Sequence, residues 1–386
     1  MSDITALSQR RYDIDWLRVL AILAVFIFHS GRFFDTMPWH VKSTTVYSLV
    51  TAWTVFLSGW LMPFMFLISG ASLFYMVGKG SVVQFIREKT LRLFIPLVVG
   101  VFTHISLVVY LERISHSQFT GSFFKFYPHY FDGIYGIGGN FALTGLHLWY
   151  LLVLFIYSLL FLPLFYLLKG SARGLLDKLG NILAVPGIIL VLILPVTYLS
   201  VIFDPRTFLG QRNFGGNPLP VYICYLLYGF VIFSHARLQA SIQKLRWFYL
   251  VAALAAASVL IWRFGYAPPK GDMKALIYFG LFWIISSWCF ILAFIGFALK
   301  HLTNNTPLLK YTNEAVLPFF IMHQTVLLVL GYFVLQWPIP DLLKWIIIAI
   351  SSFLSLIGLY EFLIRRFNGI RFLFGMKLLT KKANSK

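Results

Sequence analysis

The chain has 386 residues, of which 59% are hydrophobic and only 12% are charged, with a mean hydropathy of +0.81. Soluble domains carry about 25% charged residues, so water is not the main solvent here and an ordinary soluble domain is excluded. The formal net charge is +19, a balance that fits either an anionic partner or the orientation of a membrane protein.

A helix needs about 20 apolar residues to cross a hydrocarbon core of about 30 Å, because every backbone polar group must be paired within the segment. The first such run, Trp16 to Phe34, follows Arg10, Arg11, Asp13 and Asp15 and has no small-residue cleavage site, so it reads as a retained first helix. The second, Val46 to Tyr75, is long and contains Pro63; a kink or two packed pieces are expected. Leu91 to Tyr110 is the third. The longest connection, Leu111 to Leu146, carries Pro128, Gly133, Gly136, Gly138 and Gly139 and reads as irregular. His147 to Leu168 and Ile182 to Ile202 follow, then a second irregular stretch marked by Pro205, Gly210, Gly215, Gly216 and Pro218. Leu219 to Phe233, Trp247 to Trp262, Ala275 to Leu299, Ala315 to Trp337 and Leu342 to Ile364 complete ten candidate spans.

The expected fold is therefore all-α, a polytopic transmembrane bundle of about ten helices forming one membrane domain over residues 1–386. It has an N-terminal segment 1–15 and a basic tail 365–386. With both termini cytoplasmic, the inner segments hold 22 of the 32 Lys and Arg residues and the outer ones 10. Cytoplasmic connections retain positive charge, so this orientation is preferred and the basic balance becomes a topology signal, with no nucleic-acid partner expected. Cys224 and Cys289 both lie in apolar runs, where a thiol behaves as a small hydrophobe.

Ionisable groups inside a membrane are costly, and each is a candidate functional residue. Arg18 and His29, eleven residues apart on the first helix, are separated by about 20° beyond three full turns and by a rise of about 16 Å. They share a face, with the imidazole toward mid-membrane. The plainer alternative is that Arg18 anchors the topology and His29 packs through a hydrogen bond. Arg87, Lys89 and Arg92 form a cationic cluster before the third span; such a cluster binds phosphates or simply marks the inner face. His323 lies nine residues beyond Glu314, at about 13 Å depth, where it is able to face the same cavity as His29. His147, beside Trp149 and Tyr150, reads as part of an interfacial belt, and His104 as a packing residue. No Cys-x2-Cys or His-Glu-x2-His spacing occurs, so no metal site is expected.

The stretch Asp13 to Phe34, DIDWLRVLAILAVFIFHSGRFF, resembles the opening of the acyltransferase 3 family of membrane O-acyltransferases, whose hallmark is Arg-x10-His on the first helix. Arg18 and His29 match it. Ser69-Gly70, the basic segment entering Arg92-Leu93-Phe94-Ile95-Pro96, His147-Leu148-Trp149-Tyr150, and His323-Gln324 add further points of likeness along most of the chain. Lys89 departs from the arginine the family more often places there. The subgroup most similar in appearance is the glucan biosynthesis protein C type, which lacks a fused extracytoplasmic domain.

That resemblance implies transfer of an acetyl or succinyl group from cytoplasmic acyl-CoA, a co-substrate with no bound cofactor, to a hydroxyl of an extracytoplasmic carbohydrate in a bacterial inner membrane. It implies catalytic roles for His29, Arg18 and His323, and donor binding by Arg87, Lys89 and Arg92. Acceptor binding is expected from Asp35, Glu112 and Asp132, with aromatic neighbours such as Trp39, Tyr127, Tyr130 and Tyr135. His29 is either a general base for the sugar hydroxyl or a nucleophile that carries the acyl group. Without that resemblance a transporter or flippase without covalent chemistry is the preferred reading, since ten helices with scattered ionisable residues describe many carriers.

Overall fold

Apolar runs interrupted by glycine, proline and short basic clusters fold here as helices. A computed structural model describes residues 10–266 and 273–379. The first nine residues of the expected N-terminal segment and the last seven of the expected tail lie outside the described residues. The helices in chain order are α1 Tyr12–Gly31, α2 Ser48–Met76, α3 Val82–Phe102, α4 His104–Ser115, α5 Leu146–Leu160, α6 Leu162–Lys169, α7 Arg173–Leu183, α8 Ile188–Ile202, α9 Leu219–Ser234 and α10 Ala236–Lys244. They continue with α11 Arg246–Tyr266, α12 Met273–His301, α13 Pro307–Val334, α14 Asp341–Ile364 and the short α15 Asn368–Leu373.

Among the described residues, five helices are long and apolar enough to cross a membrane alone, and four bent pairs raise the number to nine; α11 is a shorter apolar helix. The second span is not two pieces, because α2 runs through Pro63 as one helix of 29 residues. Breaks occur instead where hydropathy is silent. The third expected span is α3 and α4, bent by 41° at Thr103, whose backbone leaves the helical region. The fourth is α5 and α6, bent by 52° just ahead of Pro163, which has no N–H to continue the ladder. The fifth begins only at Ile188, because Pro186 and Gly187, the latter at φ +84°, turn the chain by 114° between α7 and α8.

The helices form two compact units. Unit 1 comprises the chain up to Ala24, Ala52–Ser81 and Tyr157–Lys310. A close helix contact within it follows from two glycines. A Cβ on Gly70 of α2 would lie 1.9 Å from the Leu226 carbonyl oxygen, and a Cβ on Gly229 of α9 would lie 1.9 Å from that of Leu67. Small residues of this kind let two membrane helices approach backbone to backbone. Gly70→Ala is thus expected to force α2 and α9 apart and to destabilise the protein by about 1–3 kcal/mol or more, measured as a fall in thermal stability in detergent; an unchanged melting curve would mean the helices separate freely. Lys169, the last residue of α6, donates to the carbonyls of Phe74 at 2.9 Å and Val77 at 2.7 Å and so closes the C-terminal end of α2.

Unit 2 comprises Val25–Thr51, Val82–Ile156 and the chain from Tyr311. Its core holds Phe26, Phe33, Val108, Leu111, Leu327 and Ile348. Within α3, Thr90–Phe94 forms a wide π turn that ends two residues before Pro96. The proline lacks the N–H that would have bonded the Arg92 carbonyl and its ring crowds that oxygen, which favours the wider turn. Gly375, at φ +65°, packs on the same backbone; a Cβ there would sit 2.9 Å from the Arg92 carbonyl oxygen. The segment expected as a tail is thus folded through residue 379. Arg371 is buried and donates to Glu314 at 2.8 Å, to the Arg365 carbonyl and to the Lys377 carbonyl.

Candidate active site

His29 stands in the last turn of α1, which ends at Gly31, three residues short of the apolar run. Its Nδ1 lies 3.0 Å from the Val25 carbonyl and 3.1 Å from His323 Nε2. The His323 Nδ1 in turn meets the Phe320 carbonyl. Carbonyl oxygens only accept, so each Nδ1 carries the hydrogen. His323 Nε2 is then a lone pair receiving the His29 Nδ1–H, and His29 Nε2 is left with its lone pair available. His323 is fully buried while His29 is half-buried, so the His323 ring is fixed and the His29 ring is reachable.

Two further imidazoles extend this pair. His147 lies edge-to-face with His323 at 5.0 Å between centroids and donates from Nε2 to the Ile321 carbonyl at 2.9 Å. It is buried, which corrects its reading as an interfacial residue. His104, 6.3 Å from His147, meets Thr325 Oγ1 at 2.9 Å; the bend at Thr103 folds it back onto Gly100. The clue was that four of the nine histidines fall inside apolar runs, although nothing in their spacing joins α4, α5 and α13 to α1. Among the described residues, no three His, Cys, Asp or Glu side chains are arranged to hold a metal ion.

The loop after α1 is built on charge. Asp35 is fully buried, pairing through Oδ2 with Arg32 and through Oδ1 with Lys42 at 2.8 Å. Burial pushes the Lys42 ammonium below its ordinary pKa and Asp35 holds it up. Arg32 also donates to the Pro38 carbonyl at 2.7 Å. Asp35, expected to meet the acceptor, thus points inward and holds this loop.

Glu112 and Asp132 do share a cavity, of about 630 Å³, with Arg113, His129, Tyr135 and Asn140 among its lining residues. Glu112 receives hydrogen bonds from His40 and, at 2.8 Å, from the Tyr135 hydroxyl. Burial and the Glu112 carboxylate push that phenol above its usual range. Arg113 donates to Asn140 Oδ1 at 2.8 Å and to the Gly139 carbonyl at 2.9 Å, which stiffens the glycine-rich loop. Asp132 is exposed and pairs with His129 at 3.0 Å. Carboxylates, amides and aromatic rings in a cleft of this size suit a polyhydroxyl ligand.

Arg18 belongs to unit 1, where it bridges Asp15 at 3.1 Å and Ser72 Oγ at 2.8 Å. Of the expected donor residues, Arg87 and Arg92 are exposed, whereas Lys89 is buried with its ammonium over the Phe85 ring. Arg92 sits in the π turn, a kind of irregularity often found at functional sites.

An apolar all-helical chain with several helices able to cross a membrane, and with a hydrogen-bonded imidazole pair in one unit, is a multi-pass integral membrane protein. Residues 11–361 match the family model described as an acyltransferase domain, and the chain belongs to this acyltransferase 3 family: it is an acyltransferase, of the kind that transfers groups other than aminoacyl groups. No curated protein and no solved structure matches it.

Proposed function

We propose that the protein moves an acetyl or succinyl group from cytoplasmic acyl-CoA to a hydroxyl of an extracytoplasmic glycan, in the manner of the glucan biosynthesis protein C type. The observation that carries this reading is the His29–His323 pair, which leaves His29 Nε2 as an accessible base. In the reaction His29 Nε2 takes the hydroxyl proton as the oxygen bonds to the thioester carbon. The carbon–sulfur bond breaks, and the same proton passes to the departing thiolate. The glycan is held in the loop cavity of Glu112 and Asp132, while Arg87, Lys89 and Arg92 hold the donor phosphates. Ten crossings with both termini cytoplasmic, supported by the 22 to 10 distribution of Lys and Arg, bring the two substrates from opposite sides of a bacterial inner membrane. Family membership weighs against the carrier reading, since a transporter has no use for a thioester donor.

The test is acyl transfer by the purified protein, from acetyl-CoA or succinyl-CoA to glucan oligosaccharides, read by mass spectrometry. Absence of an acylated product with every donor and acceptor pair would remove the proposal. The donor site has its own test. Arg92→Ala is expected to weaken apparent donor affinity about tenfold, because an exposed guanidinium grips phosphate through two charge-assisted bonds. Lys89→Ala is expected to change affinity less and thermal stability more, since the side chain is buried with its ammonium over the Phe85 ring. Unchanged donor affinity in both would reduce the cluster to a topology anchor.

A further inference from the structure

The fold commits buried charge to one short loop in unit 2, and the residue that this fixes is Trp39. Its indole lies 22° from parallel to the His29 imidazole, with 6.1 Å between centroids, and meets Phe33 edge-on at 4.8 Å. The carbonyl before it, of Pro38, accepts from Arg32, which Asp35 holds in place. The residue after it, His40, donates to Glu112 on α4, and the His40 carbonyl lies 3.0 Å from the Ser115 hydroxyl. Trp39 is thus held on both flanks, and it also packs on the core of unit 2 around Phe33 and Leu327. One edge of the His29 ring is already occupied by Val25 and His323, so the indole closes a second approach and leaves the Nε2 edge as the way in.

We infer that Trp39 is a specificity residue that sets whether a hydroxyl or water receives the acyl group. The inference rests on the acyl-CoA reading above. A base able to activate a sugar hydroxyl activates water equally well: water oxygen bonds to the thioester carbon, the carbon–sulfur bond breaks, a free carboxylic acid leaves, and the proton goes to the thiolate. A transferase must therefore deny water a place over its base, and excluding water from a reactive centre is what a large flat apolar wall achieves. Trp39 also belongs to the same loop as His40, so the cavity that would hold the acceptor is joined to this wall by one peptide bond and one hydrogen bond.

The experiment measures two quantities on the full chain in detergent: CoA thiol released from acetyl-CoA or succinyl-CoA without acceptor, and acylated glucan oligosaccharide formed with it. Their ratio is independent of the folded fraction. In Trp39→Ala the ratio of hydrolysis to transfer is expected to rise about tenfold or more over wild type, while Trp39→Phe, which keeps a flat apolar ring, stays near wild type. His40→Ala, which leaves the indole intact but frees its flank, is expected to raise the ratio by a smaller factor and serves if Trp39→Ala does not fold. A ratio unchanged in Trp39→Ala, or in His40→Ala where only that variant folds, would overturn the inference, as would hydrolysis and transfer falling together. Wild-type protein that neither releases CoA nor acylates glycan would instead remove the reading on which the inference rests.

Discussion

His29→Ala is expected to lose acyl-transfer turnover by about 100 to 10,000-fold while the folded protein still binds acyl-CoA, because general base assistance is typically worth that much. The motive is the open Nε2 of a ring whose other nitrogen is already engaged by Val25 and His323. Alanine removes the base and leaves the basic cluster around Arg92 untouched, so turnover and donor affinity should separate. Near-normal turnover would sink the catalytic assignment of His29. A labelled acyl group recovered on His29 itself would show that the ring carries the acyl group rather than only the proton.

The second large effect is expected at His323, a positioning residue that acts through His29. Its Nε2 shares the His29 Nδ1–H with the Val25 carbonyl and so helps to hold the tautomer and ring orientation that leave Nε2 of His29 as the base. His323→Ala deletes that acceptor in a fully buried place and is expected to lower kcat by about 10 to 1,000-fold with little change in donor KM. His323→Gln carries an amide oxygen able to accept the same hydrogen bond and is expected to recover part of the loss. A ring that merely filled space would show no such rescue. Equal turnover in the Ala and Gln variants would contradict the tautomer argument.

Much of the fold is legible because the bilayer allows few solutions: long apolar runs become helices, and their composition announces them. What hydropathy does not announce is where an apolar run bends. Thr103 and Phe161 interrupt helices without any Asp, Glu, Lys or Arg nearby, and only the following Pro163 gives a hint at the second. Pro63, a plausible break, lies inside an unbroken α2. The start of the fifth span was misjudged for a related reason, because Ile182 belongs to the amphipathic α7 and the span begins only beyond Pro186-Gly187.

Within the candidate site, similar depths estimated for His29 and His323 anticipate their meeting, since helical rise is fixed at 1.5 Å per residue. The burial of His147 against His323 is a tertiary fact with no local signature; beside Trp149 and Tyr150 it looks interfacial. Asp35 misleads in the opposite direction. As an acid just beyond a span it reads as a solvent-facing group, yet Arg32 three residues earlier and Lys42 seven later neutralise it in the interior. Through Arg32, Asp35 is linked to the Pro38 carbonyl that precedes Trp39.

The most direct test of the central claim is the acyl content of surface glycans in the native host, compared between wild type, a deletion strain, and deletion strains carrying either the wild-type gene or His29→Ala. Loss of one ester-linked acetyl or succinyl modification on deletion, restored by the wild-type gene and not by an equally abundant His29→Ala protein, is the predicted result. Unchanged glycan acylation on deletion, or full restoration by His29→Ala, would contradict it.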